Sequence, residues 1–289
     1  MIVDNKVMVC LLTGVVGLVA GSAATYLSLQ APVGPDAQAE PSAPSASQSP
    51  SSNQQGPKPF VRSGNYPQFS YAQQGEDLIL DSLLWHLGIS AEKMTYLDIG
   101  AWDPIQSNNT FYFYRLGGHG VLVEPNPAFA KKLTEARPRD KVLNLGVGLD
   151  AESAPYYIIG GPGGDQLNTF DKEAADGYSA KTNGKNFIET TLSMPLVNIN
   201  RIIAENFDGK APTYVSIDVE GLDFTILQSL DFAKYKPAVF CMETVDFSSR
   251  GQRTQLIEFL VSKGYTVRGA SFVNSIFVRN DLLAGAPAR

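Results

Sequence analysis

The chain has 289 residues, of which 44% are hydrophobic and 18% charged, and its formal net charge is −6. This length suits one large domain or two small ones, and the composition is typical of a globular protein with a buried core. The negative charge and the lack of a lysine and arginine cluster argue against a nucleic-acid partner. The most basic stretch, 131–141, is interrupted by acids and is typical of a solvated helix face.

The two cysteines occupy unrelated settings. Cys10 lies in an apolar N-terminal run, and Cys241 lies in a segment with the pattern of a buried strand. We do not expect these two side chains to meet, so the sequence predicts neither a disulfide nor a zinc site. The pattern suits a reducing compartment and is also compatible with an oxidising one.

The first 30 residues have the composition of a membrane anchor. Residues 7–29 carry no charged side chain, and a helix rising about 1.5 Å per residue over that run crosses a hydrocarbon core. A cleaved signal peptide is the alternative, because the small residues 21–23 resemble a cleavage site. Lys6 and the amino terminus slightly favour a cytosolic amino terminus, which would place the remaining chain across the membrane. Asp4 partly offsets this charge, so the sequence leaves the membrane side of the domain open. We expect a single-pass membrane protein anchored by residues 1–30.

Residues 31–64 are rich in proline, serine, alanine and glutamine, which predicts a disordered linker, because such a segment buries too little apolar surface to offset its chain entropy. From residue 65 to 289, apolar runs of strand length alternate with helix-patterned segments. Alternation of this kind predicts one α/β domain with a mostly parallel, seven-stranded, doubly wound sheet and helices on both faces. Because few residues separate the last two strands, that pair is predicted to be an antiparallel hairpin.

The predicted core strands share short apolar runs and are Thr95–Ile99, Gly120–Glu124, Val142–Val147, Tyr214–Asp218, Ala238–Glu243, Tyr265–Arg268 and Ser275–Arg279. The predicted helices share apolar residues at helical spacing and are Glu76–Leu87, Asn109–Leu116, Ala128–Ala136, Ile199–Asn206, Phe224–Leu230 and Arg253–Lys263. Two further segments, Tyr156–Ile159 and Leu192–Val197, are predicted as strands added between the core units.

The ends of the first two strands carry acids. In a doubly wound sheet, ligands bind beyond the carboxyl ends of the strands. The first strand ends in YLDIGAWDP, with Asp98 and Gly100, and it lacks the further glycines of a dinucleotide fingerprint. The second ends in VLVEPNP, where Glu124 is placed to accept hydrogen bonds from both hydroxyls of a ribose. These residues favour a hydroxyl-bearing or cationic ligand over a nicotinamide dinucleotide.

Polar residues also follow the later strands. Asn144, at the end of the third strand, is a candidate for contact with an adenine ring, although the same residues are ordinary turn formers. The fourth strand leads into YVSIDVEGLD, in which Asp218 and Glu220 lie close together and one of them is a candidate base. Asp223 in the same stretch is interpreted as a helix cap.

Five segments together resemble the FkbM-type methyltransferase family: AQQGEDLIL, YLDIGAWDP, NNTFYFYRLGGHGVLVEPNP, VSIDVEGLD and LDFAKYKPAVFCME. They occur in the family's order and at compatible spacing, from about residue 68 to 280. The resemblance implies a Rossmann-like domain that uses S-adenosylmethionine and methylates hydroxyls of sugars, glycans and related small molecules. Two positions depart from the family pattern: Ala72 stands where serine is common, and Gly118 stands where tryptophan is usual.

The resemblance also implies roles for individual residues. Cofactor binding is expected of Gln73, Glu76, Asp98, Gly100, Asn109, Thr110 and Glu124. Asp218 and Glu220 match the acidic motif near the transferred methyl group, and either one is expected to take the proton from the acceptor hydroxyl. A divalent cation held by Asp218, Glu220 and Glu243 is the alternative to a protein base. The stretch GGPGGDQ, 160–166, is expected to form a loop over the acceptor.

Two other classes of function compete with this one. A nicotinamide-dependent oxidoreductase shares the fold class, but the missing glycines count against it. A membrane-tethered binding or scaffold protein with a decayed methyltransferase site is the second, and the intact acids Asp98, Glu124 and Asp218 argue against decay. The acceptor's identity does not follow from the sequence, nor does the oligomeric state.

Overall fold

The computed structural model describes residues 69–148, 152–219, 221–246 and 251–285. The predicted anchor 1–30 and linker 31–64 lie outside these ranges. Within the described ranges, no helix is both long enough and apolar enough to span a bilayer. Cys241 is buried in a strand as a free thiol, and Cys10 lies outside the described part.

The strands, in chain order, are β1 Thr95–Ile99, β2 His119–Val123, β3 Lys141–Leu143, β4 Gly146–Val147, β5 Ser153–Gly160, β6 Phe187–Val197, β7 Tyr214–Ile217, β8 Val239–Glu243, β9 Val245–Asp246, β10 Gly251–Gln252, β11 Tyr265–Ala270 and β12 Asn274–Arg279. The helices are α1 Glu76–His86, α2 Phe111–Leu116, α3 Pro127–Ala136, α4 Lys172–Lys181, α5 Ile199–Asn206, α6 Asp223–Ser229, α7 Thr254–Ser262 and α8 Asn280–Ala284.

The main sheet has seven strands in the order β11-β12-β8-β7-β1-β2-β3. The pairs among β8, β7, β1, β2 and β3 are parallel, whereas β12 runs antiparallel to both β8 and β11. The predicted parallel sheet and its C-terminal antiparallel hairpin are thereby confirmed. The strand order reverses direction between β1 and β7, and ligands in such sheets bind outside the carboxyl ends at this point.

Side chains of alternate strand residues fill two cores, one on each face of the sheet. Leu97 and Ile99 of β1 pack with the apolar faces of α5, α6 and α7. Tyr96, also in β1, faces the opposite side and packs with residues of α1 and α2. A strand buried on both faces reads as a continuous apolar run, which is why these strands were recognisable in the sequence.

A second, three-stranded sheet is inserted between β3 and α5, with the order β4-β6-β5. The single predicted strand Val142–Val147 is wrong, because the chain leaves the main sheet after Leu143 and re-enters structure as β4 beside β6. Asn144 makes this turn: its Nδ2 donates to the carbonyl oxygens of Glu124 and Pro125, both at 2.8 Å. The predicted added strands Tyr156–Ile159 and Leu192–Val197 are the cores of β5 and β6, which pair antiparallel.

Candidate active site

A cleft opens at the carboxyl edge of the main sheet, where β1, β2 and β7 end. Five predicted site residues line it: Gln73, Gly100, Asn109, Glu124 and Asp218. The stretch expected to form a loop over the acceptor contributes Asp165 and Gln166 to the lining. The remaining wall is formed by Trp102, Ser107, Pro125, Tyr156, Asn168, Phe170, Val219 and Asn274.

Glu124 lies at the base of this cleft and is only 4% exposed. Its Oε2 accepts a hydrogen bond from the Trp102 backbone N–H at 2.9 Å, and its Oε1 accepts one from the Asn126 N–H at 2.7 Å. These two bonds fix the carboxylate in one orientation. Each oxygen keeps further acceptor capacity, because an ionised carboxylate accepts about four hydrogen bonds.

Burial raises the pKa of Glu124 to about 7, although hydrogen bonds from the Asn126 and Trp102 backbones oppose the shift. An acid whose folded-state pKa lies above its unfolded value stabilises the fold fully below the unfolded pKa, near 4.5. That contribution is lost as the pH rises towards 7, because the unfolded chain releases its proton first.

We therefore expect the free energy of unfolding of the ligand-free wild type to fall relative to that of Glu124→Gln between pH 5 and pH 8. The expected relative loss is about 2–3 kcal/mol, since one pKa unit corresponds to about 1.4 kcal/mol. Urea denaturation at the two pH values measures this difference. Parallel pH profiles for the two proteins would show that Glu124 does not titrate in this range.

Gly100 lets the ends of β1 and β7 meet under the cleft. Its φ is +87°, and a Cβ built on it would lie 1.8 Å from the carbonyl oxygen of Asp218. No residue with a side chain fits at that distance without moving the backbone. The Asp218 N–H also donates to the Ile99 carbonyl at 3.0 Å, so the backbone of Asp218 is held directly beside β1.

The loop between β1 and α2 is strained at two positions that face the cleft. Trp102 and Ser107 both have φ of +46°, an unfavourable value for residues with side chains. Both line the cleft. Strain of this kind persists where the surroundings fix the backbone, and it concentrates at binding sites.

Asn108 is the residue that fixes this loop. Its Nδ2 donates to the carbonyls of Ala101 and Asp103, both at 3.0 Å. Its Oδ1 accepts from the backbone N–H groups of Thr110 and Phe111, at 3.0 and 2.8 Å. The buried side chain therefore ties the loop to the start of α2, and sequence reasoning assigned it no role.

Two predicted cofactor residues, Asp98 and Thr110, are buried beneath the cleft and do not line it. Asp98 is 4% exposed and Thr110 is fully buried. The Thr110 hydroxyl donates to Asp98 Oδ2 at 2.7 Å. Burial raises the pKa of Asp98 to about 6, with the Thr110 hydrogen bond and the charge of Arg137 opposing that shift. Asp98 and Thr110 thus belong to the buried hydrogen-bond network beneath the cleft and not to its lining.

Arg137 lies at the centre of this buried network, and the sequence did not indicate its role. The interpretation of 131–141 as a solvated face is wrong at this residue, which is fully buried. Its Nη1 donates to Asn108 Oδ1 at 2.8 Å, and its Nη2 donates to Thr110 Oγ1 and Tyr96 Oη, both at 3.0 Å. A salt bridge of 2.7 Å joins Nη2 to Asp140, whose side chain is also fully buried.

The segment AQQGEDLIL, residues 72–80, also contributes to the cleft. Gln73 lines the mouth, whereas Glu76 is 1% exposed and binds the C-terminal hairpin. Glu76 Oε1 accepts from the Ser271 hydroxyl at 2.6 Å and from Asn274 Nδ2 at 2.9 Å. Glu76 therefore positions Asn274, which does line the cleft. Ala72, one of the two departures from the family pattern, donates its N–H to Asp77 at 3.2 Å.

The remaining predicted residues are placed differently. Asn144 is engaged by the backbone after β2 and is absent from the cleft lining, so its amide makes a turn contact there. Glu220 lies outside the described residues. Glu243 accepts a hydrogen bond of 2.7 Å from Arg253 Nη2. Within the described ranges, no group of three or more potential ligand side chains could hold a metal ion.

Two buried polar atoms in the cleft wall have no hydrogen-bond partner among the residues that the structure describes: Trp102 Nε1, a donor, and Asn109 Oδ1, an acceptor. Buried polar atoms of folded proteins are nearly always paired, so this donor and acceptor indicate a polar ligand. S-adenosylmethionine offers both kinds of partner, with a carboxylate and an ammonium group on its methionine portion and hydroxyls on its ribose. The donor set of the cleft therefore fits this cofactor.

The strand order is that of a Rossmann-like domain, in which ligands bind beyond the carboxyl edge of the sheet. Residues 98–267, more than half of the chain, match the methyltransferase FkbM domain family. The chain belongs to this family and is an S-adenosylmethionine-dependent methyltransferase. No curated protein sequence matches the chain.

Several solved structures are similar to this chain at low identity. A precorrin-6y C5,15-methyltransferase from Geobacter metallireducens is 14% identical with a TM-score of 0.38, over 68% of this chain and 85% of that one. An O-methyltransferase from Bacillus cereus in complex with SAH is 14% identical with a TM-score of 0.34, over 74% and 83%. A putative caffeoyl-CoA O-methyltransferase from Staphylococcus aureus is 10% identical with a TM-score of 0.40, over 74% and 85%. Similarity at this level carries no information on substrate.

Proposed function

We propose that this protein transfers a methyl group from S-adenosylmethionine to a hydroxyl of a sugar, glycan or related small molecule. The observation that supports this most is the placement of Asp218. This residue follows β7 and lines the same cleft as Glu124, which follows β2. We assign the Glu124 carboxylate to the cofactor ribose and the Asp218 carboxylate to the acceptor.

The walls of the cleft suit a polyhydroxylated acceptor. Asp165, Gln166 and Asn168 reach the cleft from the inserted sheet, and Gln73 and Asn274 reach it from the opposite side. The four amides among them both donate and accept hydrogen bonds, and the Asp165 carboxylate accepts them, which matches the hydroxyl groups of a sugar. The aromatic side chains of Tyr156 and Phe170, whose ring centroids are 4.6 Å apart, add a surface for the apolar face of such a ring.

When bound, S-adenosylmethionine supplies an electrophilic methyl group on a sulfonium. The acceptor oxygen would displace S-adenosylhomocysteine from this methyl group, with a carbon–oxygen bond formed as the carbon–sulfur bond breaks. The hydroxyl proton must go to a base, and Asp218 takes it in this proposal. Glu124 and the backbone around Gly100 hold the donor, while the polar walls orient the acceptor.

Asp218→Asn tests the assignment of the base. The amide keeps the shape of the side chain and cannot take the proton, so we expect turnover to fall at least about 100-fold. The dissociation constant of S-adenosylmethionine should stay within about threefold, because the ribose and methionine contacts remain. Release of S-adenosylhomocysteine with a panel of neutral methyl glycosides measures the first quantity, and calorimetry measures the second.

A matched control for this substitution is Asp208→Asn, which makes the same chemical change in an exposed turn. Full turnover by Asp218→Asn would remove this residue from the role of base. Loss of S-adenosylmethionine binding in the purified wild type would favour the alternative of a binding or scaffold protein with a decayed methyltransferase site. The family match favours S-adenosylmethionine over the nicotinamide cofactor that we considered as the other alternative.

We also propose that the catalytic domain is tethered to a membrane through residues 1–30, on the basis of the uncharged run at 7–29. The full chain should sediment with membranes after an alkaline carbonate wash, and a variant lacking residues 1–30 should remain in the supernatant. Release of the full chain by the wash would contradict a spanning anchor and support a cleaved signal peptide. Protease protection of sealed vesicles measures the side on which the domain lies.

A further inference from the structure

The loop that follows β7 is held in place by the side chain of Asp223, the first residue of α6. This side chain is fully buried. Its Oδ1 accepts from the Val219 N–H at 3.0 Å, and its Oδ2 accepts from the Gly221 N–H at 3.2 Å. Asp223 therefore does not cap its own helix, as the sequence suggested, but fixes the backbone directly after Asp218.

Arg253 joins this aspartate to a second buried acid. Its Nη1 donates to Asp223 Oδ2 at 3.2 Å, and its Nη2 donates to Glu243 Oε2 at 2.7 Å. The Arg253 N–H in turn donates to the Thr244 carbonyl at 2.8 Å. A planar guanidinium presents its donors in a fixed fork, so it sets the distance and angle between the two carboxylates that it bridges.

The position of this bridge connects it with the cleft. Glu243 ends β8 and pairs in register with Asn274, which lines the cleft. Asp223 holds Val219, which also lines the cleft directly after Asp218. The arginine thus links the ends of β7 and β8 through side chains that themselves stay outside the cleft lining.

We propose that Arg253 is a positioning residue for methyl transfer, acting through Asp223 on the loop that carries Asp218. The inference rests on the proposed role of Asp218. Without the cation, the fully buried carboxylate of Asp223 would lose the guanidinium charge beside it, and a buried charge that loses its partner is relieved by moving or by taking up water. Movement of Asp223 would carry the Val219 and Gly221 backbone with it. A displacement of about 1 Å at a reacting group costs about 100-fold in rate.

The first test is hydrogen exchange of the full chain in detergent, which needs no acceptor. In Arg253→Met, the amide protons of Val219 and Gly221 should exchange about tenfold faster than in the wild type, because their acceptor has been released. The amide of Leu97, inside β1, should be unchanged. Arg201→Met is the matched control, because Arg201 forms an exposed pair with Glu205 on α5.

The second test separates positioning from general loss of structure. Arg253→Met should lower turnover on the methyl glycosides by about tenfold to 100-fold, with the S-adenosylmethionine dissociation constant within about twofold of the wild type. Arg253→Lys should recover part of the turnover, since it keeps the charge but cannot bridge both carboxylates as a fork.

Three results would overturn the proposal: unchanged exchange at Val219 and Gly221 in Arg253→Met, cofactor affinity that falls in parallel with turnover, or Arg253→Lys behaving like Arg253→Met. If the wild type methylates none of the glycosides, the proposed function fails on that panel. The exchange measurement then still decides whether Arg253 holds the loop.

Discussion

Replacement of Glu124 by glutamine should weaken S-adenosylmethionine binding about 100-fold. The carboxylate is held by two backbone N–H groups and faces the cleft with its remaining acceptor capacity. Hydrogen bonds to a charged group contribute about 1.5–3 kcal/mol each, and the amide loses the charge and one acceptor oxygen. Loss of two ribose bonds at the low end of that range amounts to about 3 kcal/mol, or about 100-fold in affinity.

Equilibrium dialysis with labelled S-adenosylmethionine measures this loss. Glu135→Gln on α3 is the matched control, because Glu135 is exposed and pairs with Lys131 on the helix surface. We expect that control to bind like the wild type. Affinity of Glu124→Gln within about threefold of the wild type would show that the ribose lies elsewhere.

Replacement of Arg137 by methionine should cost the largest amount of stability of any substitution considered. The guanidinium is fully buried and pairs with Asp140, while it also donates to Asn108 and Thr110. Removing one partner of a buried ion pair costs about 3–5 kcal/mol, because the other charge is left uncompensated. That is a large share of the total stability of an ordinary domain.

Urea denaturation of the two proteins measures the difference in the free energy of unfolding. Arg201→Met, on the exposed face of α5, should change it by less than about 1 kcal/mol, as is usual for exposed pairs. A loss of less than about 1 kcal/mol in Arg137→Met would mean that its buried partners find other donors. The strained loop between Ala101 and Asn108 would then depend on other contacts.

An element of the fold could be predicted from the sequence where its own residues carry a clear pattern. Helix α5 occupies Ile199–Asn206 as predicted, because Asn198 caps it by accepting from the Asn200 N–H at 2.9 Å. Strand β1 also has its predicted bounds, because a strand buried on both faces is mainly apolar, as Tyr96, Leu97 and Ile99 are here. The ends of α5 are therefore set locally, whereas β1 is recognisable from its own residues although it pairs with β2 and with the distant β7.

The inserted sheet was only partly predictable, since its elements depend on pairing between distant segments. Strand β6 begins at Phe187, well before the predicted start at Leu192, and several of its residues are exposed. Helix α4 buries only Ala175, so its apolar pattern is too weak to recognise. It begins at a cap nonetheless: Asp171 accepts from the N–H groups of Glu173 and Ala174.

The residues of the cleft were also only partly predictable from the sequence. Glu124 and Gly100 were recognised because their residue types and their position at strand ends point to one chemistry. Arg137 was not, because a buried arginine and a solvated one look alike in a run of mixed charges. Its partners Tyr96 and Asn108 lie far along the chain, and only the fold brings them together.

The central claim is that this cleft binds S-adenosylmethionine, and calorimetric titration of the full chain tests it most directly. We predict that S-adenosylmethionine binds with one site per chain and that NAD gives no heat of binding under the same conditions. Binding of NAD, or no binding of S-adenosylmethionine to a folded protein, would contradict the account of the cleft and of the reaction built upon it.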